Sequence, residues 1–67
     1  MSIAKVIEIS TASGKSFEDA IEQGLQRTAK TVHGIKGAWI KEQSVVVEKG
    51  KIVEYRVDMK VTFVLDS

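Results

Sequence analysis

The most regular hydrophobic pattern in the chain lies near its end. Apolar residues occupy every second position from Val53 to Leu65, and mostly polar residues fill the positions between them. Strict alternation of this kind is typical of a β-strand that buries one side and exposes the other. It predicts a long strand whose odd-numbered residues face a core. Its even-numbered residues, among them Arg56, Asp58 and Lys60, are predicted to form an outer face.

Earlier in the chain, apolar residues recur at helical spacing instead. Ser16 is a predicted N-cap with Asp19 three residues later, and Gly34 has the conformational freedom to end a helix. The pattern predicts a helix over 17–33, with an apolar stripe formed by Phe17, Ala20, Ile21, Leu25, Thr28, Ala29 and Val32.

Two further segments are rich in β-branched residues and predict strands over 3–10 and 38–48. Residues 11–15 predict the turn between the first strand and the helix. Lys49 and Gly50 predict a hairpin turn between the last two strands. Since Gly50 tolerates a left-handed conformation, we expect a type I turn followed by a G1 bulge.

The second strand changes its hydrophobic parity partway along. Ala38 and Ile40 are even-numbered, whereas Val45 and Val47 are odd-numbered. A regular strand cannot bury both pairs on one side, because a one-residue slip turns every side chain to the other face. A β-bulge near residues 42–44 would resolve the conflict.

That arrangement turns Trp39 to the outer face, and Lys41 and Gln43 share its parity. The predicted fold is an α+β domain of order β-α-β-β, in which a three-stranded antiparallel sheet packs on one helix. No linker, repeat or low-complexity stretch divides the chain. Residues 1–67 are therefore predicted to form a single domain.

Composition narrows the class of protein. The chain is 43% hydrophobic and 28% charged with a net charge of +1, which is ordinary for a globular protein. It has no cysteine, which excludes disulfides and thiolate chemistry. It also lacks an apolar run of the ~20 residues that a membrane helix needs and the apolar segment of a signal peptide. We expect a cytoplasmic protein.

The small size favours self-association. A single core in a chain of fewer than roughly 70–80 residues seldom supplies more than ~3–5 kcal/mol of stability, and disulfides, metals or oligomerisation usually supplement it. Disulfides are excluded, and one histidine without a carboxylate cluster is poor support for a metal. We therefore expect a homo-oligomer, with a marginally stable monomer as the alternative.

Candidate catalytic residues are few. His33 stands alone near the predicted helix end, where an imidazole interacts favourably with the helix dipole. Gly14-Lys15-Ser16 matches the end of a phosphate-binding loop, but Ile9 stands where that motif requires a glycine. We expect no enzyme activity and no metal site. Because acidic and basic residues are interleaved, we expect no nucleic-acid partner either.

Trp39, the single tryptophan, has two interpretations. In the first, it closes the end of the core or packs in a subunit interface. In the second, it is a flat platform for a planar ligand. Offset aromatic stacking is worth ~0.5–1.5 kcal/mol beyond area burial, and a two-fold axis would bring two copies of the indole together into a slot.

Almost the whole chain resembles one known family, the dodecins, which are small flavin-binding proteins that assemble into hollow dodecamers. The resemblance is carried by Lys5-Val6-Ile7-Glu8-Ile9, Ser16-Phe17-Glu18-Asp19-Ala20-Ile21, Arg27-Thr28-Ala29-Lys30-Thr31-Val32, Trp39 and the ending Tyr55-Arg56-Val57-Asp58-Met59-Lys60-Val61-Thr62-Phe63-Val64-Leu65-Asp66.

The resemblance implies a homododecamer that stores or sequesters flavin. FMN or riboflavin would stack in pairs between copies of Trp39 at two-fold axes, and the protein would not be an enzyme. Coenzyme A is a further ligand of bacterial members, but Val46 and Val64 stand where basic residues for it are expected.

Arg56 departs from the family pattern, because a glutamine that binds the flavin edge usually stands there. Arginine only donates hydrogen bonds, so Arg56 either reaches ring carbonyls or an FMN phosphate, or pairs with neighbouring carboxylates. Gln43 is the expected substitute, on the expectation that either Gln43 or Glu42 lies opposite Arg56, depending on the register of the hairpin. The alternative to flavin storage is a dodecin-like shell with a structural, ion-binding or other small-ligand role. A flavin-dependent enzyme is a third and weaker hypothesis.

Overall fold

A computed structural model describes residues 3–65. The elements are β1 (Ile3–Ser13), α1 (Phe17–Thr28), β2 (Ile35–Glu48) and β3 (Lys51–Leu65). The strands form one antiparallel sheet in the order β1-β3-β2, so the last strand is central. The predicted β-α-β-β class is confirmed.

The core lies between α1 and the side of β3 that the alternation predicts. Val57, Met59 and Val61 are fully buried there, together with Ala20 of the helix. Gly24 lets the helix approach the sheet closely, because a Cβ at this position would collide with Thr11 and Met59. One short helix thus covers the centre of the sheet.

Much of the sheet extends beyond that helix. The domain measures 52 × 19 × 13 Å, whereas 12 helical residues span only about 18 Å. On the helix-facing side of the β2–β3 hairpin, apolar side chains remain exposed, including Ile40, Val45 and Val47. A single copy of the chain leaves these residues uncovered.

The predicted helix end is wrong by five residues. The helix stops at Thr28, and the next amides form tighter turns: Lys30 N donates to Arg27 O and Thr31 N to Thr28 O. Gly34 adopts a left-handed φ of 79° in the link to β2. The chain leaves the helix early because residues 29–34 must turn it back into the sheet.

The first two strands are longer than predicted. The first continues to Ser13, which pairs with Tyr55, and the second begins at Ile35, which pairs with Phe63. Residues 11–13 have turn-like composition. Their backbone nevertheless finds hydrogen-bond partners on β3, and this tertiary pairing outweighs local preference.

The hairpin turn also differs from the prediction. Only Lys49 and Gly50 separate the paired residues Glu48 and Lys51. Both have positive φ, 52° and 75°, which is the signature of a type I′ turn rather than a type I turn with a G1 bulge. Type I′ matches the twist of the two flanking strands.

The predicted bulge in the second strand is present, one position earlier than expected. Ile40 pairs with Met59 and Glu42 with Asp58, so Lys41 is the additional residue. Ile40 and Val45 consequently both lie on the helix-facing side, opposite Met59 and Tyr55.

Candidate functional site: the outer face of the sheet

The outer face is the side of the sheet turned away from α1, and Trp39 lies on it as predicted. Trp39 is 69% exposed. It pairs with Lys60 of the central strand, and Lys60 in turn pairs with Glu8 of the other edge strand. These three residues therefore form one row across the sheet.

The bulge places a lysine beside this row. Lys41 Nζ donates to Glu8 Oε1 at 2.8 Å, so its side chain crosses the central strand from one edge to the other. The hydrogen bond from Lys41 lowers the pKa of the Glu8 carboxyl, and the same contact raises the pKa of Lys41. Lys41 thus binds the Glu8 end of the Trp39 row.

The next row along the sheet is acidic. Glu42 pairs directly with Asp58, and Ser10 Oγ donates to Asp58 Oδ1 at 2.7 Å. Like charges placed directly opposite each other in a sheet are destabilising. This row is the one position on the described outer face where two carboxylates oppose each other.

Arg56 lies on the outer face but not beside Trp39. It pairs with Ser44, and its Nε donates to Glu54 Oε1 at 3.2 Å while its side chain remains 58% exposed. Arg56 is four residues from Lys60 along one strand, or about 13 Å. A groove of about 400 Å³ lies around Arg56, Ser44 and Asp58.

Gln43 lies on the wrong face for the role expected of it. The bulge at Lys41 reverses the parity of the rest of β2, so Gln43 pairs with Val57 on the helix-facing side. The prediction that Gln43 lies opposite Arg56 is therefore wrong, and Ser44 occupies that place.

A larger groove, of about 760 Å³, runs between the end of β1 and the start of the helix. Two of its lining residues, Ser13 and Asp19, make hydrogen bonds at the helix start. Ser13 Oγ donates to Asp19 Oδ2 at 2.5 Å, and Asp19 N donates to Ser16 Oγ at 2.9 Å. Ser16 is the N-cap, as predicted.

The residues that sequence reasoning did not assign to a site are Lys60 and the ion pair of Lys41 with Glu8. Parity placed Lys60 on the outer face. Its pairing with Trp39 follows only from the register of β2 against β3, and that register depends on the number of bulged residues between Trp39 and the hairpin turn. Long-range pairing of this kind leaves no local sequence signal.

Two negative observations apply to residues 3–65. No group of three or more histidines or carboxylates is placed to hold a metal ion. No helix in this range is long and apolar enough to cross a membrane.

Comparison with known proteins gives a consistent result. The family model described as Dodecin matches residues 3–66. Calcium dodecin from Mycobacterium tuberculosis is 35% identical over 63 residues, covering 94% of this chain and 89% of the relative. Its crystal structure, described as having a novel calcium-binding site, matches with a TM-score of 0.82 at 35% identity, covering 96% and 91% of the two chains.

Other solved structures match more closely in shape. An arginine-to-alanine variant of the Thermus thermophilus dodecin has a TM-score of 0.94 at 27% identity over 100% of both chains. The dodecin from Streptomyces davaonensis has a TM-score of 0.93 at 29% identity, covering 98% of this chain and 97% of its own. Because the family model spans nearly the whole chain, this protein belongs to the dodecin family.

Proposed function

We propose that this protein is a flavin-storage protein that assembles into a homododecamer and stacks FMN or riboflavin between copies of Trp39. The observation that carries the proposal is the exposure of this indole. At 69% exposed, it lies on the side of the sheet turned away from the core. Removing it should therefore cost the single subunit little stability.

Assembly follows from the same distribution of apolar surface. The buried core consists of few side chains, while Ile40, Val45 and Val47 remain exposed beyond the helix. Burying exposed aliphatic surface is worth about 25 cal/mol per Å². A second copy covering the hairpin would supply the stability that one small core lacks.

A two-fold axis would give the indole its ligand-binding role. Isologous contacts bring the same residue of two subunits together, so two Trp39 side chains would face each other across a slot. A flat, electron-poor ring such as isoalloxazine would stack between them. Such a slot holds the ring between two indoles and leaves no room for a substrate beside it. The function that we propose is therefore storage and not catalysis.

The test is titration of riboflavin and FMN into the purified protein while flavin fluorescence is recorded. Stacking on Trp39 should quench the fluorescence, and Trp39→Ala should abolish the quenching. Light scattering should give about twelve times the 7.4 kDa chain mass for both proteins. If Trp39→Ala dissociates the assembly, Trp39 is an interface residue and the storage proposal loses its support.

Arg56 has a secondary place in this proposal. Its contact with Glu54 favours carboxylate pairing within one chain, and about 13 Å of strand separates it from the Trp39 row. Arg56 would reach a ring or an FMN phosphate only from a partner subunit. In that case Arg56→Gln should weaken FMN binding more than riboflavin binding, and the difference should shrink as salt rises.

Cation binding is the second candidate function. The 35% identical relative is named calcium dodecin, and the opposed carboxylates of Glu42 and Asp58 are the specific feature that favours it here. Oxygen ligands suit Ca²⁺, which takes six to eight of them. Since residues 3–65 of one chain offer no group of three metal-binding side chains, a partner copy or water would have to complete the site.

Calorimetric titration with CaCl₂ tests this candidate. Binding by the wild type that is lost in Glu42→Gln would support a cation role, and Glu48→Gln, at the hairpin end of the same strand, is the matched control. Absence of heat at millimolar Ca²⁺ would exclude it. Flavin and calcium binding are measured independently, so one result does not decide the other.

A further inference from the structure

We propose that Lys60 orients the planar ligand on Trp39, and that the ligand recognised is an aromatic ring with hydrogen-bond acceptors along one edge. The proposal rests on the stacking function proposed above and adds its specificity. Flavin carbonyl groups are an edge of this class.

The first support is the position of Lys60. It pairs directly with Trp39 across the β2–β3 ladder, so their Cβ atoms lie about 4.5–5.5 Å apart on one face. A ring stacked on the indole would extend over this neighbour. Gln43 faces the other side of the sheet.

The second support is that Lys60 keeps its hydrogen-bond donors available. Glu8 is its neighbour on the first strand, but the Glu8 carboxylate already binds Lys41 at 2.8 Å. Within residues 3–65, Lys60 makes no salt bridge and no side-chain hydrogen bond. An ammonium has three donors and accepts nothing, so it selects for an acceptor edge.

The charges around the row indicate which part of the ligand is recognised. Glu42 and Asp58 occupy the next row of the outer face and would repel a phosphate placed there. Along β2, only the bulged Lys41 separates the Trp39 row from the acidic row, and its ammonium is paired with Glu8. Recognition by Lys60 is therefore directed at the ring edge and not at a phosphate group.

The test compares riboflavin affinity of the wild type with that of Lys60→Met, which removes the ammonium and keeps an apolar stem. Loss of one charge-assisted hydrogen bond should weaken binding roughly tenfold or more. Lys60→Arg, which restores a charged donor, should recover most of the affinity. Lys5→Met is the matched control, because Lys5 pairs with Phe63 on the other face and loses the same charge; its affinity should equal that of the wild type.

A second ligand separates edge recognition from stacking. Anthracene is a flat, uncharged three-ring hydrocarbon without a hydrogen-bond acceptor, so Lys60→Met should leave its affinity unchanged while weakening riboflavin binding. Equal weakening of both ligands, or equal riboflavin affinity in Lys60→Met and the wild type, would overturn the proposal. If Lys60→Met fails to assemble, Lys60→Val, which also lacks a hydrogen-bond donor and suits a strand, takes its place in the same comparison.

The two proposals fail in different ways. If the wild type binds neither ring, the stacking function itself is wrong and the role of Lys60 falls with it. If the wild type binds both rings and Lys60→Met weakens neither, or weakens both equally, stacking stands and the assignment of Lys60 is wrong.

Discussion

The second and third strands are almost equal in length and pair along most of it, yet they contribute to the molecule in different ways. The central strand β3 supplies Val57, Met59 and Val61 to the core. No residue of β2 is fully buried, and β2 carries the additional residue, Lys36 or Lys41, at two of the three register shifts between these strands. Strand β3 therefore builds the core, whereas β2 exposes its side chains to solvent or to another subunit.

The difference follows from what covers each strand. The helix packs on β1 and β3 and reaches β2 hardly at all. A strand covered on one face must keep strict alternation, because one slip would bury polar groups. An edge strand without such a cover tolerates a bulge, and a bulge also protects a free sheet edge against unwanted pairing.

The largest expected difference between the two strands is at a pair of residues that face each other across the sheet, Met59 of β3 and Ile40 of β2. Met59 is fully buried and its partner Ile40 is 40% exposed. Met59→Ala should cost about 2–5 kcal/mol of unfolding free energy, since it removes transfer energy and leaves a cavity. Ile40→Ala should cost less, and its effect should grow with dilution if Ile40 is covered by another subunit. Chemical denaturation at several protein concentrations measures both losses of unfolding free energy. If the two variants lost the same amount at every concentration, the proposed difference between β3 and β2 would be wrong.

The exposed apolar side of the hairpin gives the next largest effect. Val47 is 55% exposed on one chain, and Val47→Lys would place a charge where assembly should bury a methyl-bearing side chain. Light scattering should then show small species instead of a large assembly. Glu48→Gln, the adjacent exposed residue with a similar change in charge, is the control and should leave the assembly intact. A Val47→Lys protein of unchanged mass would mean that this side of the hairpin stays in water.

A substitution in the hairpin turn should change stability by a smaller amount, and it should raise stability instead of lowering it. Lys49 has a φ of 52°, a left-handed conformation that costs an ordinary residue about 1–2 kcal/mol and that asparagine adopts more readily. Lys49→Asn, which creates the preferred Asn-Gly sequence of a type I′ turn, should raise stability by up to about 1 kcal/mol. A higher midpoint in thermal unfolding would agree with the type I′ assignment, and a lower one would contradict it.

The smallest effect concerns the ion pair beside Trp39. Because the folded pKa of Glu8 is lowered, its contribution is complete above the unfolded pKa and is lost as pH falls through the folded value. Because the folded pKa of Lys41 is raised, its contribution is complete below the unfolded pKa and is lost as pH rises through the folded value. Glu8→Gln should flatten the acidic side of a stability–pH curve only slightly, since both groups are exposed to solvent. A large change there would mean that assembly buries the pair.

The amino-acid sequence alone determined the class of fold and much of the core. The period-two pattern of residues 53–65 specified which face of β3 lies against the core. It did not specify how far the burial extends, because Val53 and Leu65 on that face remain exposed. The parity change between Ile40 and Val45 required a bulge and turned Trp39 outward. Both inferences depend only on neighbours along one strand, where the physics is local.

The tertiary structure decided what depends on pairing between distant residues. It placed the bulge at Lys41, which put Gln43 on the helix-facing side and Ser44 opposite Arg56, and it set the register that pairs Lys60 with Trp39. It also ended the helix at Thr28 and extended β1 to Ser13, since backbone groups there take partners from the sheet. Register has no local signature, because an edge strand makes a similar number of backbone hydrogen bonds to its neighbour in either register; only side-chain packing across the folded sheet selects one.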